Sequence, residues 1–190
     1  MVAEPRALQN LSTVVVGLVA TSIPAGLSLA AGFLWTARVE WAWTILGAVL
    51  LDLGVLHLKA LLQHPRPVSH PAYVLPSEGP FGMPSEHAAF AAFLVGQLHA
   101  RQTRLAAAGF RRSVRAACLG LLVLWALGVI LMRYITGAHS IVQLLAGAGC
   151  GLCASIVWWK LEAGPLADAM VLGQCFTDSA RRCVIALYGC

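Results

Sequence analysis

Long apolar runs constrain this chain more than any other feature. Leu11 to Trp35, Trp43 to Leu62, Ala116 to Arg133 and His139 to Lys160 are nearly free of charge, and each approaches or exceeds the roughly 20 residues a helix needs to cross a bilayer. With 59% hydrophobic and only 11% charged residues, the balance is far from that of a water-soluble domain. The expected fold class is therefore all-α, an integral membrane helical bundle of about five transmembrane helices. A formal charge of +5 raises nucleic acid as a partner, but the basic residues gather at span ends and in short motifs rather than on an aromatic-laced polar face. The expected surroundings are membrane, with no nucleic acid.

Pro24 interrupts the first run, which is either one kinked span or a short lead-in to a span starting near the proline; Arg38 and Glu40 end it. The second span carries Trp41 and Trp43 where an interfacial belt is expected. From Gln63 to Met83, Pro65, Pro67, Pro71, Pro76 and Pro80 exclude a regular helix. A third span opens at Ser85, a good N-cap residue, and reaches about Ala100. At about 1.5 Å per residue it covers ~24 Å, short of a hydrocarbon core of about 30 Å, so its Ser85 end is expected to be recessed. Pro165, Gly173, Asp168 and Asp178 argue against a sixth crossing. The division expected is a membrane-embedded domain over 1–160 and an interfacial tail over 161–190.

Three patterns punctuate the spans in fixed order: Lys59 with Arg66-Pro67, Pro84-Ser85-Glu86-His87, and Arg133 with His139. They supply cations, a hydroxyl and two imidazoles, an inventory suited to binding a phosphate group and cleaving its ester or anhydride without a metal. Alternating the spans brings all three patterns to one membrane face. The opposite loop carries Arg101, Arg104, Arg111, Arg112 and Arg115 without an acid, which makes that loop cytoplasmic and the motif face luminal or extracytoplasmic.

This order, Lys-x6-Arg-Pro, Pro-Ser-x-His, Arg-x5-His, resembles the phosphatidic-acid-phosphatase type 2 superfamily, which includes lipid phosphatases and vanadium haloperoxidases. Gly82-Met83-Pro84-Ser85-Glu86-His87 and the His139-x3-Gln143 ending are similar to the dolichyl-diphosphatase branch. The resemblance implies His139 as the nucleophile that forms a phosphohistidine and His87 as the acid, then base. It further implies Lys59, Arg66, Ser85 and Arg133 as the phosphate-binding set, with no metal and no cofactor. The activity implied is hydrolysis of the terminal phosphate of a polyprenyl diphosphate lipid, dolichyl diphosphate first, at the luminal face of the endoplasmic reticulum membrane, recycling the carrier used in N-glycosylation. An undecaprenyl-diphosphate or broad lipid-phosphate phosphatase, and a catalytically weak lipid-phosphate-binding protein, stand as alternatives. Three departures motivate the last: Glu86 where a small residue is usual, Met132 where Ser usually precedes the arginine, and Gln143 where most members orient the histidine with aspartate.

Around these residues a second tier of expectations forms. Gln143, one helical turn after His139, is expected to accept a hydrogen bond from its Nδ1. Asp52 shares a helix face with Lys59 at i to i+7 and is expected to help position it through water or a neighbouring helix. His57, His64, His70 and His99 lack motif spacing and are expected at interfaces or in packing. Cys150 and Cys153 lie among small residues inside a span, where packing outweighs redox or zinc chemistry. Cys175, Cys183 and Cys190 are candidates for palmitoylation, and the sequon at Asn10 abuts the membrane and is expected unmodified. No cleavable signal is evident, and the first span is the expected targeting anchor. The sequence gives no oligomeric state.

Overall fold

In the computed structural model, residues 38–67 and 79–188 are described, and there the apolar runs form helices: α1 (Val39–Leu62), α2 (Glu86–Ala100), α3 (Gln102–Ala107), α4 (Arg112–Ile135), α5 (Ile141–Ala163) and α6 (Ala167–Tyr188). The architecture is all-α. Among the described residues α1, α4 and α5 are long and apolar enough to cross a membrane. The expected first span, the sequon, His70 and most of the proline-rich loop lie outside the described residues.

α2 is the centre of the bundle. Its 15 residues cover about 22 Å at about 1.5 Å per residue, and Ala88, Ala89, Ala91, Ala92, Phe93 and Leu94 are buried around it. α1, α4 and α5 sheathe it, with α5 the most intimate neighbour. That approach depends on missing side chains. A Cβ at Gly147 would stand 2.3 Å from the Ser85 carbonyl oxygen, and one at Gly151 would stand 2.0 Å from that of Ala89, so this small-xxx-small pair lets the two backbones touch. Phe93 fills the space beside Ala48 and Leu94, against Trp158. Trp43 turns inward and stacks on Trp158 with centroids 4.2 Å apart, while Trp41 stays exposed.

The helix ends differ from the expected ones in informative ways. α1 starts at Val39, with Arg38 as N-cap and Glu40 in the first turn, so those charges stand at the opening of this helix. α4 reaches back to Arg112 and α5 forward to Ala163. Ser85 is the N-cap of α2, with extended backbone, but its side chain makes no capping bond; its backbone N–H donates to the Gln143 carbonyl at 3.1 Å. After α5 ends, Ala167–Tyr188 forms the 22-residue α6, which lies outside the membrane-crossing class. Its Gln174 side chain accepts from the Val39 N–H at 3.0 Å, which ties α6 to the start of α1. At that same end Glu162 is buried and ion-paired with Arg101 at 2.7 Å and with Arg104.

Candidate active site

Lys59 lies in the last turn of α1, Ser85 at the entrance to α2, Arg133 in the last turn of α4 and His139 just before α5. Antiparallel alternation of the helices brings these four to one end of the bundle, opposite the Arg101–Glu162 pairing. Arg66 joins them from the α1–α2 connection. There Pro65 and Phe81 form an isolated antiparallel bridge, and the Gly82 N–H donates to the His64 carbonyl at 2.8 Å. All five are buried, polar side chains notwithstanding.

His139 is the best-defined group. Its Nδ1 lies 2.9 Å from the Gly82 carbonyl oxygen, which can only accept, so Nδ1 carries the proton and Nε2 holds a lone pair. An Arg66 guanidinium nitrogen stands 3.2 Å from that Nε2. The same nitrogen donates to the Ala138 carbonyl at 3.0 Å, while Nε donates to that of Gly79 at 3.1 Å. Burial, and then the charges of Arg133, Arg66 and Lys59, push the imidazole down to about 3 from its usual 6.5, against a small opposing contribution from the Gly82 carbonyl. The ring is therefore neutral at physiological pH and keeps a nucleophilic nitrogen facing three cations.

Gln143 makes no hydrogen bond to His139. It is the N3 residue of α5 in a capping box, its Oε1 accepting from the Ser140 N–H at 3.1 Å while its own N–H donates to the Ser140 hydroxyl at 3.3 Å. Its amide nitrogen reaches the Pro65 carbonyl at 2.8 Å and His64 Nδ1 at 2.9 Å. The expected bond to the imidazole is thus replaced by the Gly82 carbonyl, because helix capping turns the Gln143 side chain toward the α1–α2 connection. Gln143 fixes the loop that fixes the histidine.

Asp52 lies exposed on α1 and interacts with Lys59 and Glu86 through space. Lys59 forms an ion pair with Glu86, in the first turn of α2. The partner that holds Lys59 comes from the neighbouring helix, which a spacing argument along α1 does not reach. His87 is half-buried beside Glu86. The Ser85 hydroxyl is fully buried and finds no hydrogen-bond partner among the described residues. His64, expected at an interface or in packing, contributes through Gln143 and the Gly82 N–H. Next to His139 an open groove of about 630 Å³ runs past Tyr134, Ile135, Ile141 and Val142.

The sequence profile of the PAP2 superfamily matches residues 40–164, from the first turn of α1 to the end of α5. The chain belongs to the PAP2 superfamily. Among solved structures, the crystal structure of the first transmembrane PAP2 type phosphatidylglycerolphosphate phosphatase from Bacillus subtilis is similar, with a TM-score of 0.65 and 17% identity, covering 86% of this chain and 80% of that one. At that identity the likeness speaks for the fold. No curated protein sequence matches the chain. PAP2 membership and the apolar helices together make this a multi-pass membrane protein of the lipid-phosphatase type. The PAP2 region holds every residue of the cluster and stops before α6.

Proposed function

We propose that this PAP2 protein hydrolyses the terminal phosphate of a polyprenyl diphosphate, dolichyl diphosphate in the first instance, through a phosphohistidine. The observation that carries the reading is His139: a buried, neutral imidazole with its Nδ1 proton committed to a carbonyl and its Nε2 lone pair beside Arg66. A phosphoryl group brought to Nε2 draws the Arg66 guanidinium onto its own oxygens. Lys59 and Arg133, whose fields already reach the ring, share the charge that builds up in the transition state. The buried Ser85 hydroxyl gains a partner it lacks among the described residues. Nε2 forms a bond to phosphorus as the anhydride P–O bond breaks, and His87 gives its proton to the departing polyprenyl phosphate. His87 then takes a proton from water, whose oxygen displaces His139 and releases inorganic phosphate.

The finer substrate assignment rests on the Gly82-Met83-Pro84-Ser85-x-His87 and His139-x3-Gln143 motifs. The orientation proposed, with the site on the luminal face of the endoplasmic reticulum, rests on the arginine-rich segment from Arg101 to Arg115 at the other end of the bundle. A second reading, a weakly catalytic lipid-phosphate binder, is favoured only by the Glu86 carboxylate on Lys59. A panel of polyprenyl diphosphate, polyprenyl phosphate and phosphatidic acid, assayed for phosphate release by detergent-purified protein, decides between them. Preferential release from the diphosphate, lost in His139→Ala together with covalent phosphate trapping, supports the proposal. Full activity in His139→Ala refutes the mechanism, and equal turnover of all three lipids refutes the assignment.

A further inference from the structure

The cluster contains one group that opposes its apparent purpose. Glu86 stands between Ser85 and His87, and its carboxylate holds the ammonium of Lys59. Lys59 is only 5% exposed and is one of the three cations whose field reaches His139. A tetrahedral oxyanion at Nε2 therefore meets a lysine that already carries a counter-charge. The ammonium has three donors, so Glu86 and a phosphoryl oxygen can share it, but the pair offers the ligand less attraction than a lone cation. The Asp52 carboxylate of α1 also repels Glu86 through space, and Lys59 is the cation that Glu86 pairs with.

We propose that Glu86 is a built-in competing anion that weakens the site by a similar factor for free inorganic phosphate and for phosphate carried on a lipid, so that only the lipid, held also by its chain, stays bound strongly enough to react. The inference rests on the reading of the site as one for lipid phosphates. Both ligands lose the same electrostatic attraction, because both present the same oxyanion to the same cations. A lipid keeps the contribution of its apolar chain, which Glu86 does not touch. Free phosphate has only its charge. Hydrolysis severs the phosphate from its anchor, so the carboxylate acts against the product and against phosphate from solution, and it favours turnover over product retention.

The test uses full-length protein purified in detergent, with orthophosphate as the probe. Its dissociation constant is measured by calorimetry or phosphorus NMR, which needs no turnover, and its inhibition constant is measured against lipid hydrolysis. Glu86→Gln keeps the shape and a hydrogen bond but removes the charge. It should tighten orthophosphate binding about tenfold or more, as expected for one unit charge removed near a dianion in a partly buried site. KM for the lipid should fall by a similar factor where it reports binding, with kcat lowered as product lingers. Glu86→Asp, which keeps the charge, should stay within about threefold of the parent, and Glu86→Gly provides a second neutral variant should the glutamine protein fold poorly. Unchanged or weaker orthophosphate binding in both neutral variants overturns the inference, as does an aspartate variant that behaves like the glutamine one. Failure of the parent to hydrolyse any lipid phosphate, with orthophosphate binding still tightened by Glu86→Gln, removes the proposed substrate and leaves the competing anion standing.

Discussion

The depressed His139 imidazole makes the stability of the protein depend on pH in a way that one substitution isolates. The group lies outside the spans, two residues before α5 begins, and is held at about 3 against an ordinary value of 6.5. Above pH 6.5 the ring is neutral in folded and unfolded chains alike and contributes no pH dependence. Between 6.5 and 3 the unfolded chain binds a proton that the folded chain refuses, so stability falls with falling pH, at up to about 1.4 kcal/mol per pH unit. Integrated from pH 7.5 to pH 5, the loss is about 2 kcal/mol, which for a chain of this size lowers Tm by about 4 to 8 °C. His139→Asn removes the titrating group while its amide nitrogen can still donate to the Gly82 carbonyl. Thermal unfolding of both proteins in the same detergent, at pH 7.5 and pH 5, gives the difference directly, since every other titrating group cancels. The wild-type protein should lose about 2 kcal/mol more than the variant on acidification, and orthophosphate should shrink that difference by neutralising the cations around the ring. Parallel pH profiles for the two proteins would refute the placement of His139 as a buried, neutral imidazole among three cations.

Gly151→Ala forces a methyl group against the Ala89 carbonyl, 2.0 Å from its ideal position; the variant should lose about 1 to 3 kcal/mol in thermal unfolding, with kcat reduced because α2 carries Ser85 and His87. Glu162→Ala strands Arg101 without its buried counter-ion and should cost about 3 kcal/mol of stability. That site lies at the far end of the bundle, so KM should stay unchanged; a shifted KM at intact fold would count against the separation of the two ends. Gln143→Glu keeps the acceptor for the Ser140 N–H but removes the donors to Pro65 and His64, and loosening the Gly82 carbonyl should lower kcat/KM by about tenfold or more. Full activity in steady-state assays of that variant would show that the capped loop does not position His139.

Charged and imidazole residues are rare in this chain and sit at the ends of apolar runs, which is why the motif cluster was legible before any fold was known. Each such residue is expensive in lipid, and helix alternation carries the expense to one end of the bundle. The orienting acceptor for His139 was not legible, because a backbone carbonyl has no side-chain signature. Two indirect signals existed. Ser140-x2-Gln143 is the spacing of a capping box, which claims the Gln143 side chain for the helix start and away from the imidazole. Gly82 is the second, since a Cβ there would lie 2.6 Å from the Gln143 amide, so the glycine admits the amide that fixes the loop. The Glu86–Lys59 pair joins residues 27 positions apart on two helices, and nothing within either helix announces it. The apolar run of α5 likewise pointed to a span starting at His139, whereas the helix waits until Ile141 because Ser140 is the better cap.

The short central helix explains why burial leads the causes of the His139 shift. Glu86, in the first turn of α2, is level with Lys59, which stands one turn inside the end of α1 at Leu62. Ser85 is level with the first turns of α5, where its backbone meets Gln143 and Gly147. Arg133 stands two residues before the end of α4. The cluster is therefore sunk about one helical turn, roughly 5 Å, below the ends of the helices that surround it. A longer α2 would carry Ser85 and His87 outward past Lys59 and Arg133 and place His139 where water keeps its ordinary basicity. With 15 residues the helix stops where three cations and an imidazole share a poorly solvated space. The proposed phosphate ligand would enter a site in which the cluster's own carboxylate, Glu86, already holds Lys59.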